Sequence, residues 1–192
     1  MRSRGEVRES KRPGKVPSRT LVIDASVARA AGGPSATHPT AKSCRDFLMA
    51  MLDICHRVVR TDAIGEEWKR HRSKFFRGWL VNMYGRKKVD WIQSPELGLQ
   101  TKLSNAFANP LDRATAMKDV HLLDAAIATR SPIVSHDDTS RLLFASACTK
   151  VPELQGIVWI DPCAMQDAGL EWLERGAPDE KPGMLGAGSE TS

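Results

Sequence analysis

The apolar residues of this chain fall into short unbroken runs, separated by longer stretches with helical spacing. Thr20-Leu21-Val22-Ile23 is the first such run and ends in Asp24. Val58-Val59, Pro132-Ile133-Val134-Ser135 and Ile157-Val158-Trp159-Ile160 are others, and Val89 to Ile92 reads as a shorter extended piece. Runs this short, continuous rather than alternating, suit strands buried on both faces. Between them, Phe47, Leu48, Met51, Leu52 and Cys55 form the stripe of a helix over Thr40 to Cys55. Thr61-Asp62 predicts the cap of one long helix reaching Met83, with Ile64, Trp68, Phe75, Trp79, Leu80 and Met83 as its apolar side. Ser94-Pro95-Glu96 predicts a helix start, with Ala108 near its end and Asn109-Pro110 as its breaker. Met117 to Ala128 predicts an apolar helix, Thr139 a cap for another through Ala147, and Cys163 to Arg175 a last helix. Gly32-Gly33-Pro34 marks a loop.

Strands that alternate with helices predict an α/β fold, a three-layer α/β/α sandwich with a short central parallel sheet. Such sheets build their sites at the carboxyl ends of the strands. Asp24 and Asp137 each follow a strand and so share that edge, although each is equally explained as a helix N-cap. Glu67 adjoins Trp68 on the inward side of its helix, whereas Glu66 aligns with Ala63 and Arg70; the plainer alternative pairs Glu67 with Arg70 or His71. Asp119 and Asp124 lie about 140° apart around their helix at roughly 3.6 residues per turn, so they do not easily serve one site. Asp119 is preferred because it falls in the first turn of the predicted helix, where it would also complement the helix dipole. Crowded carboxylates repel one another. A divalent ion with oxygen preference, Mg²⁺ or Mn²⁺, is the economical reason to gather them.

Charge adds a direction. Residues 1–19 hold seven basic and two acidic side chains, a surplus equal to the whole net charge of +5. They read as a flexible basic arm, and residues 176–192, rich in Gly, Pro and Ser, as a disordered tail. Lys69, Arg70, Arg72, Lys74 and Arg77 crowd a second segment. A solvated surface is the plain explanation; a polyanion such as RNA is the sharper one, with Lys69, Arg72 and Lys74 holding the substrate backbone. Trp68 and Trp79 follow the apolar spacing and read as core. Cys44, Cys55, Cys148 and Cys163 form no CxxC pair and read as reduced core thiols. No apolar run approaches the roughly 18 residues of a membrane span, and the basic start lacks a secretory apolar segment, so the expectation is a cytoplasmic protein with no membrane partner.

Four segments taken in order are similar to a known family. They are Leu21-Val22-Ile23-Asp24-Ala25-Ser26-Val27, Thr61-Asp62-Ala63-Ile64-Gly65-Glu66-Glu67-Trp68, Lys118-Asp119-Val120-His121-Leu122-Leu123-Asp124-Ala125-Ala126, and Ile133-Val134-Ser135-His136-Asp137-Asp138. Over about residues 20–162 the chain resembles the PIN-domain ribonucleases, among them the VapC-like toxins of bacterial toxin–antitoxin pairs; residues 163–192 extend beyond that outline. The resemblance implies a flavodoxin-like sandwich and Mg²⁺- or Mn²⁺-dependent cleavage of RNA, single-stranded RNA above all. It implies Asp24, Glu67, Asp119 and Asp137 as catalytic metal ligands, with Ser26 supporting Asp24. Asp124 and Asp138 stay open as further ligands. It also brings in a protein antitoxin as a partner and a homodimer as an assembly. The alternative is a catalytically inactive PIN-like module that binds RNA or regulates. A haloacid-type phosphatase would want Asp two residues beyond Asp24, where this chain has Ser26.

Overall fold

Five short apolar runs become strands because each can be buried on both sides between helices. They are β1 (Thr20–Ile23), β2 (Arg57–Arg60), β3 (Val89–Trp91), β4 (Ile133–Val134) and β5 (Trp159–Ile160). In this computed structural model, which describes residues 17–180 and 183–188, they form one sheet in the order β3-β2-β1-β4-β5. Every pairing is parallel. Helices flank the sheet in a three-layer α/β/α sandwich. The chain moves outward from β1 through β2 to β3, then returns to the other side of β1 with β4. The strand order therefore reverses between β1 and β4, the place where open parallel sheets form a crevice. The register pairs Val22 with Ile133 and Ile23 with Val134, so Asp24 and Ser135 come next, side by side.

The helices are α1 (Ala25–Ala30), α2 (Pro39–Ile54), α3 (Asp62–His71), α4 (Lys74–Gly85), α5 (Leu99–Ala106), α6 (Pro110–Thr129), α7 (Asp138–Ala147), α8 (Pro162–Met165) and α9 (Asp167–Glu174). Packing links α1, α2, α4, α8 and α9 into one group and α5, α6 and α7 into another, while α3 touches both α1 and α6. Among the described residues no helix is long and apolar enough to cross a membrane.

Several boundaries differ from the sequence expectation. The helix predicted from Thr61 to Met83 is two helices. Arg72 falls where the stripe of Ile64 and Trp68 would place a buried residue, and Ser73 caps a new helix, its side chain accepting from the Phe76 N–H at 3.2 Å. Ser73 N–H also donates to the Ala28 carbonyl, anchoring the break on α1. The helix expected from Ser94 starts only at Leu99, after Gly98 in the left-handed region at φ 69°. α5 ends before the expected breaker Asn109-Pro110, which is also a start: Asn109 accepts from the Leu111 N–H at 2.9 Å and Pro110 takes the first helical position. Thr139 is not the cap of α7; Asp137 is. The last predicted helix divides at Gln166, which has φ 47°.

The ends also differ. Residues 1–16 of the basic arm lie outside the described residues, but Pro17 to Arg19 belong to the fold. Arg19 donates to the Ala177 carbonyl and to Asp179, both at 2.5 Å, and its backbone N–H donates to His56 Nδ1 at 3.0 Å. Part of the predicted disordered tail is ordered: Met184 bridges Val158, and Leu185 is buried while its N–H donates to the Ile157 carbonyl. Beyond the expected boundary at residue 162, Trp172 and Leu173 are core, and Trp172 stacks with Phe47 of α2 at 6.5 Å between ring centres.

Candidate active site

Asp24 stands one residue past β1. Its N–H donates to the Val134 carbonyl at 3.0 Å, which continues the β1–β4 pairing to the end of the strand. It occupies the N-cap position of α1, yet its side chain makes no capping bond. Instead Oδ2 accepts from the hydroxyls of Ser26 and Ser135, the latter at 2.7 Å. The two serines are tied in turn to the next strand end. Ser26 Oγ accepts from the His136 N–H at 2.9 Å, and Ser135 Oγ accepts from the Asp137 N–H at 3.0 Å. Asp24 is almost wholly buried, and hydroxyl donors are what make a buried carboxylate tolerable.

Asp137 differs from Asp24 here. Its Oδ1 accepts from the Ser140 N–H at 3.0 Å, so it is a true N-cap of α7. The Ser140 hydroxyl reaches the other way, donating to Asp119 Oδ2 at 2.5 Å. Asp119 lies in the middle of the 20-residue α6 and not in a first turn, so the helix dipole does not account for it. Its carboxyl is pushed up to about 6. Burial is the main cause and the charges of Asp24, Asp137 and Glu67 add to it, while the Ser140 bond acts in the opposite sense. The three other predicted acids thus all act on Asp119.

Glu67 reaches the group from α3. That helix is fixed against the end of β1 by Trp68, whose indole N–H donates to the Ile23 carbonyl at 2.9 Å. Trp68 is buried, as is Trp79. Glu67 Oε2 lies 3.1 Å from His121 Nε2, at ion-pair distance but without hydrogen-bond alignment. Burial works against a charged His121, but Glu67 first and then Asp119 outweigh it, and its pKa is raised. Glu66 is exposed and lies 3.7 Å from Lys69.

The other predicted residues are elsewhere. Asp124 is displaced upward by burial, answered only by His121, and its buried Oδ1 has no hydrogen-bond partner among the described residues. Asp138 pairs with Arg141 at 2.7 Å and lines a separate cavity of about 330 Å³ beside β5. Lys69, Arg72 and Lys74 are exposed, and among the described residues no contact joins them to the acids. Lys74 lines a groove with Arg77 and Arg86. Ser135 and Ser140, both fully buried, are the functional positions that pattern reading missed. The signal for Ser140 is its place three residues after Asp137, the spacing of a cap and its third helical residue.

The donor set suits a hard divalent cation, because carboxylate oxygens are the preferred ligands of Mg²⁺ and Mn²⁺. Serine hydroxyls or a capped N–H engage one oxygen each of Asp24, Asp119 and Asp137, and among the described residues the second oxygen of each makes no hydrogen bond. Among the described residues the one group of three ligand-type side chains with all its ligand atoms within 4.8 Å of one another is His136, Asp161 and Cys163. Fold and site together define the chain as an α/β/α sandwich with an acidic group at its topological switch point. Compared with protein-family models, curated proteins and solved structures, the chain gives no significant match.

Proposed function

We propose that this chain is a Mg²⁺- or Mn²⁺-dependent ribonuclease of the PIN type, hydrolysing phosphodiester bonds in single-stranded RNA. The observation that carries the reading is the state of Asp119, a mid-helix carboxylate displaced by burial and by the charges of Asp24, Asp137 and Glu67 at the switch point of the sheet. Burying Asp119 beside three further carboxylates is costly without a cation. Asp24, Asp119 and Asp137 are the ligands in this scheme. A divalent ion in their midst supplies Lewis acidity at the phosphate and a water of lowered pKa. Glu67, held by α3, positions the attacking water. The serines keep Asp24 and Asp119 oriented.

RNA as substrate is supported by the basic surplus of residues 1–19 and by the exposed Lys69, Arg72 and Lys74. The test is cleavage of labelled single-stranded RNA with Mn²⁺ by the wild type, Asp24→Asn and Asp137→Asn, each shown to be folded. Wild-type cleavage no faster than that of the two variants across several substrates would sink the proposal.

A further inference from the structure

We propose a second metal site in this protein, a tetrahedral zinc site formed by Cys44, His136, Asp161 and Cys163. Its place is the carboxyl edge of β4 and β5, one residue from Asp137. It does not rest on the ribonuclease reading, and its ligands are different residues.

Four elements converge there. Cys44 comes from α2, His136 follows β4, Asp161 follows β5, and Cys163 opens α8. The ligand atoms of His136, Asp161 and Cys163 all lie within 4.8 Å of one another. Cys44 Sγ lies 3.7 Å from Cys163 Sγ but outside that group of three, so it completes the fourth position by a shift of its side chain. That separation is what two thiolates adopt on one tetrahedral zinc ion, where Zn–S bonds of about 2.3 Å place the sulfurs roughly 3.8 Å apart. His136 Nδ1 lies 3.0 Å from Asp161 Oδ2, so these two ligands already face each other.

The set also matches zinc chemically. Two sulfurs, one imidazole and one carboxylate suit a borderline-soft ion and not Mg²⁺. Asp161 Oδ1 is engaged by the Cys163 N–H at 2.8 Å, the capping bond of α8, and both carboxylate oxygens lie near His136 Nδ1, at 3.1 and 3.0 Å. A capped carboxylate of this kind is the outer support that metal ligands commonly have. Cys44 is fully buried and Cys163 half-buried. Zinc binding displaces the two thiol protons into solvent, and the imidazole coordinates through Nδ1 with its proton on Nε2. No oxidant or reductant takes part. Pattern reading finds no zinc motif because the two cysteines are 119 residues apart in sequence.

The consequence reaches the acids. The His136 N–H donates to Ser26 Oγ, the hydroxyl that donates to Asp24. Zinc on the His136 side chain would pin the strand end from which Asp24 and Asp137 are positioned.

The experiment adds Co²⁺ or Zn²⁺ to the full chain, purified with reductant and stripped by chelator. Co²⁺ should produce an intense near-ultraviolet thiolate charge-transfer band and tetrahedral visible bands at one equivalent. Zn²⁺ should protect the half-buried Cys163 from a colorimetric thiol reagent in the folded protein, and chelator should restore its reactivity. Cys163→Ser should weaken both signals strongly, and so should Cys44→Ser; the half-buried Cys163 position serves if the buried one does not fold. Cys55→Ser and Glu67→Gln should leave the Co²⁺ band unchanged, and the latter separates this site from the acidic one. Three results would overturn the proposal: absence of the charge-transfer band in folded wild type, a band that survives Cys163→Ser, or loss of two thiols that reductant but not chelator reverses. The last outcome would mean a Cys44–Cys163 disulfide.

Discussion

The hydroxyl of Ser140 donates to Asp119 Oδ2 at 2.5 Å, across the interface between α7 and α6. The backbone N–H of the same serine caps onto Asp137 at 3.0 Å. One small residue therefore sets the relative position of two carboxylates, one in the middle of α6 and one at the start of α7. Ser140→Ala removes the hydroxyl bond and keeps the backbone one. It should cost about 1 kcal/mol of stability and weaken Mn²⁺ binding roughly tenfold or more. Calorimetric titration with Mn²⁺ checks this; unaltered affinity would show that Asp119 does not need Ser140 to serve the metal.

Asp119 also predicts a pH dependence. Its carboxyl, ordinarily at 3.8, stands at about 6 in the fold. Between those values the folded chain holds this proton more tightly than the unfolded chain, so the stability linked to it falls as pH rises through that window. His121 is displaced upward too, and its contribution likewise is present at low pH and lost as pH climbs through its folded value. In chelator, the wild type should be more stable at about pH 5 than at about pH 7.5, and Asp119→Asn should remove on the order of 1–2 kcal/mol of that difference. Added Mg²⁺ should oppose the trend, because cation and proton compete for the same oxygen. Thermal melts of both proteins provide the comparison, and a pH response identical in the two would exclude Asp119 as its source.

Asp24 and Asp137 should respond differently to truncation. Asp137→Ala loses a cap as well as a ligand and should destabilise the fold by about 1 kcal/mol, whereas Asp137→Asn keeps an acceptor for the Ser140 N–H. Asp24 makes no capping bond, so Asp24→Asn removes its charge without removing a helix cap. Both asparagine variants should lower Mn²⁺-supported cleavage by about 100-fold or more, the scale set by several kcal/mol of lost charge stabilisation. Single-turnover rates at saturating Mn²⁺ measure it.

Asp124 is the control for Asp119. Its buried Oδ1 lacks a hydrogen-bond partner among the described residues, which is unfavourable. Asp124→Asn should leave metal affinity unchanged and raise stability by up to about 1 kcal/mol. A tenfold loss of Mn²⁺ affinity in this variant would reverse the choice between the two aspartates.

The basic arm needs a cut that respects the fold. Arg19 is engaged with Ala177 and Asp179, so deletion to residue 19 would damage the domain. Deletion of residues 1–16 removes Arg2, Arg4, Arg8, Lys11, Arg12 and Lys15 while sparing those bonds. RNA affinity should fall, and the slope of log affinity against log salt should shrink by about 0.7 for each phosphate no longer neutralised. Filter binding over a salt series checks this, and an unchanged slope would remove the arm from RNA binding.

Local pattern was enough to establish the alternation of strands and helices, and with it the parallel sheet. Burial on both faces demands continuous apolar runs such as Leu21-Val22-Ile23, and a helix packed on a sheet demands a stripe such as Ile64 and Trp68; both are readable along a few neighbouring residues. Asp24 and Asp137 were legible for the same reason, since a strand end is visible where an apolar run stops. Asn109-Pro110 shows the limit of local reading. The same dipeptide can end one helix and begin the next, and packing of α6 against α5, α7 and β1 is what makes the helix start there and carry Asp119 in its middle. Which acids act on one another, how Ser135 and Ser140 hold them, and that Cys44 meets Cys163 came from the folded arrangement alone. Those are relations between side chains far apart in the chain, and no local preference encodes a distance that exists only after the layers have closed.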